Sequence, residues 1–209
     1  MNKRTFALIV AVPATIFTIS ACGSSSTTAS TMPSMNMPTT NSSTVAGAKV
    51  HNNADITFAL DMIPHHQQAI AMAKLATNRA SDPRVKDLAT QIEAAQGPEI
   101  SVLTGWLTSW NAPAPANSTG MEGMAGMGDN ATMPGMMSDA DMSALAASSG
   151  AVFDKAFLTM MITHHQGALT MARTEQKAGS NTDAIALAQA IIDGQTKQMA
   201  EMSKILGSG

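Results

Sequence analysis

Two stretches of the chain, "DMIPHHQQAIAMA" at 61–73 and "MMITHHQGALTMA" at 160–172, carry four of its five histidines in nearly the same setting. Each has a His-His pair, a methionine three residues before the first histidine and another seven after it, giving Met62, His65, His66 and Met72 in one copy and Met161, His164, His165 and Met171 in the other. Imidazole and thioether side chains are ligands for soft or borderline metal ions. Thioether selects Cu(I) over iron, manganese or magnesium, and imidazole suits both Cu(I) and Cu(II). The expected cofactor is copper, with Cu(I) favoured and Cu(II) possible. Di-iron bundles use Glu-x-x-His, but no histidine here has Glu three residues before it. Carboxylates are confined to Asp61, one turn before His65, and Glu99. Their counterparts in the second copy are Met160 and Gln198, so a symmetric carboxylate-bridged pair of ions cannot be built. The alternative for such residues is structural: core histidines satisfied by hydrogen bonds and methionines that only pack.

The doubling extends well beyond the motif. With a constant offset of 99, residues 55–107 align on 154–206 without a gap, and roughly 16 of about 53 positions are identical, the mark of an internal repeat. Asp55 meets Asp154, Phe58 meets Phe157, Leu88 meets Leu187 and Gln96 meets Gln195. In each copy Asp, Phe, Met, His, Ala and Met recur at steps of three and four, the inward seam of a bundle helix. His65 and His164 therefore face the core. His66 and His165, about 100° further round, face either a neighbouring helix or the rim. Pro64 and Thr163 stand directly before the pairs, where proline frees a carbonyl and threonine bonds back to one.

The elements that must position these residues are helices. Asn53 is the expected cap of a helix ending near Arg79. "SDP" at 81–83 opens a second, in which Gly97-Pro98 is expected to make a kink or break. A short helix from Ser138 precedes long ones at about 151–178 and 182–206. The expectation is an all-α, ferritin-like four-helix bundle made of two repeated helical hairpins, 52–111 and 138–207, with pseudo-twofold symmetry.

The rest of the chain reads as delivery and tether. Lys3 and Arg4 followed by "FALIVAVPATIFTIS" form a secretory signal, and "ISAC" resembles a bacterial lipobox, which makes residues 1–21 a lipoprotein signal peptide and Cys22 the lipidation site. The alternative is a lone cysteine that merely follows a signal. Removing residues 1–21 takes two of 12 basic residues and none of 15 acidic ones, leaving a net charge of -5 that argues against nucleic acid. A Ser/Thr/Pro-rich tether spans 22–51 and a low-complexity linker 112–137. Methionines recur in both: Met32, Met35 and Met37 in the tether, then Met121, Met124, Met127, Met133, Met136 and Met137 in the linker. These are auxiliary candidates for Cu(I), against sacrificial oxidation, docking on the bundle, or composition bias. His51 reads as incidental.

The pattern "GAVFDKAFLTMMITHHQGALTMA", preceded by "PGMMSDADMSAL" and matched by "DITFALDMIPHHQQAIAMA", is similar to domain of unknown function 305, a family of secreted ferritin-like four-helix proteins, over nearly all of 52–207. The resemblance implies copper binding and tolerance through His65, His66, His164, His165, Met62, Met72, Met161 and Met171. Gln198 and Met199 depart from the Gln-x-x-Glu pattern often seen in the family. The reading is therefore a lipid-anchored copper-binding protein of the bacterial envelope that buffers Cu(I) or exchanges it with an envelope donor or acceptor. The alternatives are a metal-free helical module that binds a partner protein or peptide and, third, a metal-dependent oxidase, for which no catalytic motif is present.

Overall fold

The computed structural model describes residues 50–114 and 133–208; the signal peptide, Cys22, Met32, Met35, Met37, Met121, Met124 and Met127 lie outside them. Five helices are described and no strands: α1 (Asn53–Arg79), α2 (Pro83–Ser109), α3 (Asp139–Ala147), α4 (Gly150–Ala178) and α5 (Thr182–Gly207). The fold is all-α, two hairpins joined through their first helices. α1 packs on α2, α4 on α5, and α1 runs antiparallel against α4, while α2 and α5 barely meet.

The turns follow from capping. Asn52, not Asn53, is the N-cap of α1: its side chain accepts from the N–H groups of Ala54 and Asp55, and Asp55 returns a bond to the Asn52 N–H. Of two adjacent asparagines, the one that keeps an extended backbone, Asn52, can turn its side chain over the first turn. Asp82 caps α2 with Pro83 in its first turn, and Asn181 caps α5.

Gly97-Pro98 does not break α2, which runs unbroken through it. Pro98 lies on the exposed face, and Val85, Leu88, Ile92, Leu103 and Leu107 bury the other face along its length. Packing on both sides of the proline outweighs its local preference, and the carbonyl it frees, that of exposed Ala94, is open to water. Thr163, by contrast, bonds back to the Thr159 carbonyl at 3.3 Å, as its type suggests.

The two hairpins are tied crosswise. Asp55 on α1 accepts from the N–H groups of Ser180 and Asn181 at the start of α5, at 2.9–3.2 Å. Asp154 on α4 accepts from the Ser81 and Asp82 N–H groups and the Ser81 hydroxyl at the start of α2. Asp55 also meets buried Glu175. Burial, together with the hydrogen bond to Asp55 and its charge, pushes the Glu175 carboxyl up to about 8. Burial acts to raise Asp55 as well, but the bonds from protonated Glu175 and from backbone N–H groups outweigh it and hold Asp55 below its ordinary value. At neutral pH Glu175 therefore keeps its proton while Asp55 is ionised.

Two outcomes follow. Asp154→Ala removes the shared acceptor of three donors in a partly exposed turn and should cost about 1–2 kcal/mol in urea unfolding. Glu175 keeps a proton in the native state that the unfolded chain gives up above its ordinary pKa of 4.5, so its contribution weakens as pH rises toward about 8. Glu175→Gln, neutral at every pH, should melt higher than the parent near pH 8 and lose less stability between pH 7 and pH 8, as read by far-UV circular dichroism.

Candidate metal centre

The buried apolar side chains fall into two clusters. One includes Ala69–Ala76 of α1, Val85–Ile92 of α2, Phe153–Met161 of α4 and Met202 and Ile205 of α5. The other includes Phe58–Ile63, Leu103–Trp110, Ala168 with Ala172, and Ala184–Ile191. Between them every long helix contributes polar side chains to one layer. α1 brings His65 and His66, α4 brings His164 and His165, α2 brings Gln96 and Glu99, and α5 brings Gln195 and Gln198. All four histidines are fully buried.

Antiparallel packing of α1 on α4 brings the first histidine of each pair face to face, with the rings of His65 and His164 3.8 Å apart at 38°. The second histidine of each pair turns to its own hairpin partner, which resolves the choice left open by periodicity. His66 Nε2 lies 2.7 Å from Glu99 Oε2, and His165 Nε2 lies 2.7 Å from Gln198 Oε1. His65 Nε2 lies 3.1 Å from the carbonyl oxygen of Pro134.

These partners fix proton positions. A carbonyl or carboxylate oxygen only accepts, so Nε2 of His65 and of His66 must carry the proton and donate; His165 does the same with the Gln198 amide oriented as placed. Nδ1 of each of these three rings is buried with no protein partner, and His164 has neither nitrogen paired. Burial, reinforced by the neighbouring imidazoles, lowers His65 to about 3 and His164 well below 6.5. Burial also lowers His165 to about 4 against the opposing pull of its bond to Gln198. At neutral pH these three rings are uncharged, and a neutral ring with Nε2–H donated outward presents a bare Nδ1 lone pair. That is how a metal-ligating imidazole is commonly held, its other nitrogen tied to a carbonyl or carboxylate.

The methionines distribute unequally. Met62 and Met161 are fully buried, each at the edge of an apolar cluster one turn before its histidine. Met72 is fully buried inside one cluster, whereas Met171 is only partly buried beside the other. Met137 is buried, Met133 and Met136 are half-buried. Asp61 is half-buried, which pushes its carboxyl up, and no hydrogen bond joins it to a histidine among the described residues. His51 stacks on Trp110 at 4.8 Å, outside the layer. Among the described residues no group of three or more His, Cys, Asp or Glu could hold a metal ion by itself.

Sequence reasoning passed over Gln96 and Gln195. Both are buried, at 1% and 4% exposure, with both ends of each amide unpartnered. Their identity across the repeat was the available signal.

Comparison with known proteins places this geometry in a lineage. A 53-residue stretch is 50% identical to the uncharacterized protein L153 of Acanthamoeba polyphaga mimivirus, and the match spans 25% of this chain and 35% of that relative's length. A DUF305 protein from Streptomyces coelicolor, inferred to be secreted, superposes with a TM-score of 0.65 at 32% identity, covering 74% of this chain and 93% of that one. CopM in its Cu(II)-bound form gives 0.62 at 30% identity over 74% and 96%, and in its Cu(I)-bound form 0.59 at 29% over the same shares. The profile of the domain of unknown function DUF305 matches residues 55–206, and the chain belongs to that family.

Proposed function

We propose that this chain is an extracytoplasmic copper-binding lipoprotein that buffers Cu(I) or passes it to another envelope component, held to the membrane by a lipid on Cys22. The observation that carries the reading is the layer of buried imidazoles, three of which donate Nε2–H to a fixed acceptor while Nδ1 stays bare and buried. Each such atom costs about 1–3 kcal/mol to bury unpaired, a cost that a soft cation would offset. Relatives add support, because CopM has been solved with Cu(I), Cu(II) and silver. Delivery rests on the signal sequence and Cys22; among the described residues no helix is long and apolar enough to cross a membrane. The role is one of binding rather than catalysis. A metal-free docking module accounts less well for this layer, because such a module gains nothing from unpaired imidazoles in its core.

The test is a titration of residues 23–209 with Cu(I) against a competing chelator, beside a variant with alanine at His65, His66, His164 and His165, with folding of both checked by circular dichroism. Loss of at least a hundredfold in affinity in a folded variant supports the reading. Unchanged affinity would move binding to the methionine segments, and no competitive binding by the parent would remove copper from the account. Should the quadruple variant fail to fold, His164→Asn carries the same comparison.

Acid behaviour gives a second check. Freely exposed imidazoles would release copper below about pH 6. Here the folded state takes up fewer protons than the unfolded chain between 6.5 and about 3 for His65 and about 4 for His165. Stability is therefore lost as pH falls through that window. The copper-free protein should unfold cooperatively in mild acid, and copper, by binding only the native state, should move that midpoint to lower pH. Release at pH 6 from a still-folded protein would contradict the buried site.

A further inference from the structure

The linker re-enters the fold as "MPGMM", residues 133–137, and this stretch is clamped. Both ends of the Gln68 amide hold the backbone of Met137: Nε2 donates to its carbonyl at 2.8 Å and Oε1 accepts from its N–H at 2.7 Å. On the α4 side the fit is tight. A Cβ on Gly167 would collide with the Pro134 carbonyl, and one on Gly135 would lie 2.6 Å from the Thr163 oxygen. Gly135 also has φ +78, a left-handed conformation that glycine adopts without strain. Gln68 and Gly167 occupy the same position in the two copies of the repeat. One copy has a side chain long enough to grip the loop, and the other has no side chain there and leaves the groove into which the loop fits.

We infer that Gln68 and Gly167 are positioning residues for the copper site: they seat the 133–137 loop so that the Pro134 carbonyl holds His65 as its Nε2–H tautomer, with the Nδ1 lone pair left bare in the layer. Without the loop nothing among the described residues would choose between the two tautomers of His65, and a ring with the proton on Nδ1 has no lone pair at that atom. His164, at the matching place in the other copy, has no partner on either nitrogen. The loop therefore breaks the twofold symmetry at its centre, giving His65 a fixed acceptor on the loop that His164 lacks. The consequence for copper rests on the function proposed above; the consequence for the tautomer does not.

The experiment compares residues 23–209 with Gly167→Ala, which pushes the loop out, and Gln68→Leu, which removes both clamping bonds without adding a clash. Imidazole nitrogen chemical shifts of the copper-free proteins report the His65 tautomer, and chelator competition reports Cu(I) affinity. The expected result is Nε2–H in the parent, a mixture of tautomers in the folded variants, and Cu(I) binding weaker by about 10–100-fold, the usual effect of losing an outer-shell partner. Either variant suffices if the other does not fold. A parent His65 protonated at Nδ1, or folded variants with unchanged tautomer and affinity, would overturn the inference. If the parent bound no copper, the proposed function would fall, and the nitrogen shifts would still decide whether the loop sets the tautomer.

Discussion

Everything at the centre of this molecule depends on the crossed aspartates at its ends. Asp55 accepts backbone N–H groups from the turn of the second hairpin, and Asp154 accepts those from the turn of the first. Each bond set joins the start of one central helix to the end of the other, so the antiparallel register of α1 on α4 is fixed at both ends. His65 follows Asp55 by ten residues, and His164 follows Asp154 by the same ten. At 1.5 Å per residue, each histidine lies about 15 Å in from its own anchor, so the two approach the middle of the pair from opposite ends and their side chains reach one layer. The 3.8 Å between their rings is the outcome. A slip of one residue would turn one imidazole about 100° away from the other.

That register places a polar layer between two apolar clusters, an arrangement that folding alone would not favour. Unpaired buried nitrogens and amides detract from stability, and the clusters on either side must supply the excess that holds the layer shut. The same clusters bury the layer and hold His65, His164 and His165 neutral, the state in which an imidazole can ligate a metal. The repeat therefore supplies a symmetric frame, and each copy has since diverged where chemistry is at stake. Glu99 faces Gln198 across the repeat, Gln68 faces Gly167, and Ala76 faces Glu175. The last pair shows the cost of divergence, since Glu175 adds a buried carboxyl beside Asp55 that stays protonated at neutral pH.

Much of this was legible in the sequence because the helical period and the repeat report on the same thing, which side of a helix faces inward. The seam from Asp55 to Ala76 is buried at every position, and its partner from Asp154 to Glu175 at every position but Met171. What periodicity cannot give is the identity of a partner on another helix. His66 and His165 lay beside the seam, and only the hairpin geometry shows that they meet Glu99 and Gln198. Gln96 and Gln195 stand out in the sequence only as an identity across the repeat, and their amides prove unpaired only in the fold. The seated loop was illegible for the same reason: Gln68 and Met137 are far apart in sequence, and glycine at 167 reveals its purpose only when the Pro134 carbonyl lies against it. Pro98 misled because a local helix breaker was weighed without the packed face that carries α2 past it.

Charge balance bears on which ion such a layer would hold under the proposed function. The acceptors behind the three tied imidazoles are a peptide carbonyl, a carboxylate and an amide, so Glu99 brings the one formal charge among them. Burying net charge is costly unless it is paired. A monovalent cation in this layer, with the Glu99 carboxylate one hydrogen bond away through His66, leaves the charges close to balanced. A divalent ion leaves one positive charge without a counterpart in a region closed to water, and Gln198, standing where a second carboxylate would restore the balance, cannot supply it. Under the proposed function, the amide of Gln198 at the place matching Glu99 therefore favours a monovalent ion, and Gln198→Glu would weaken that preference.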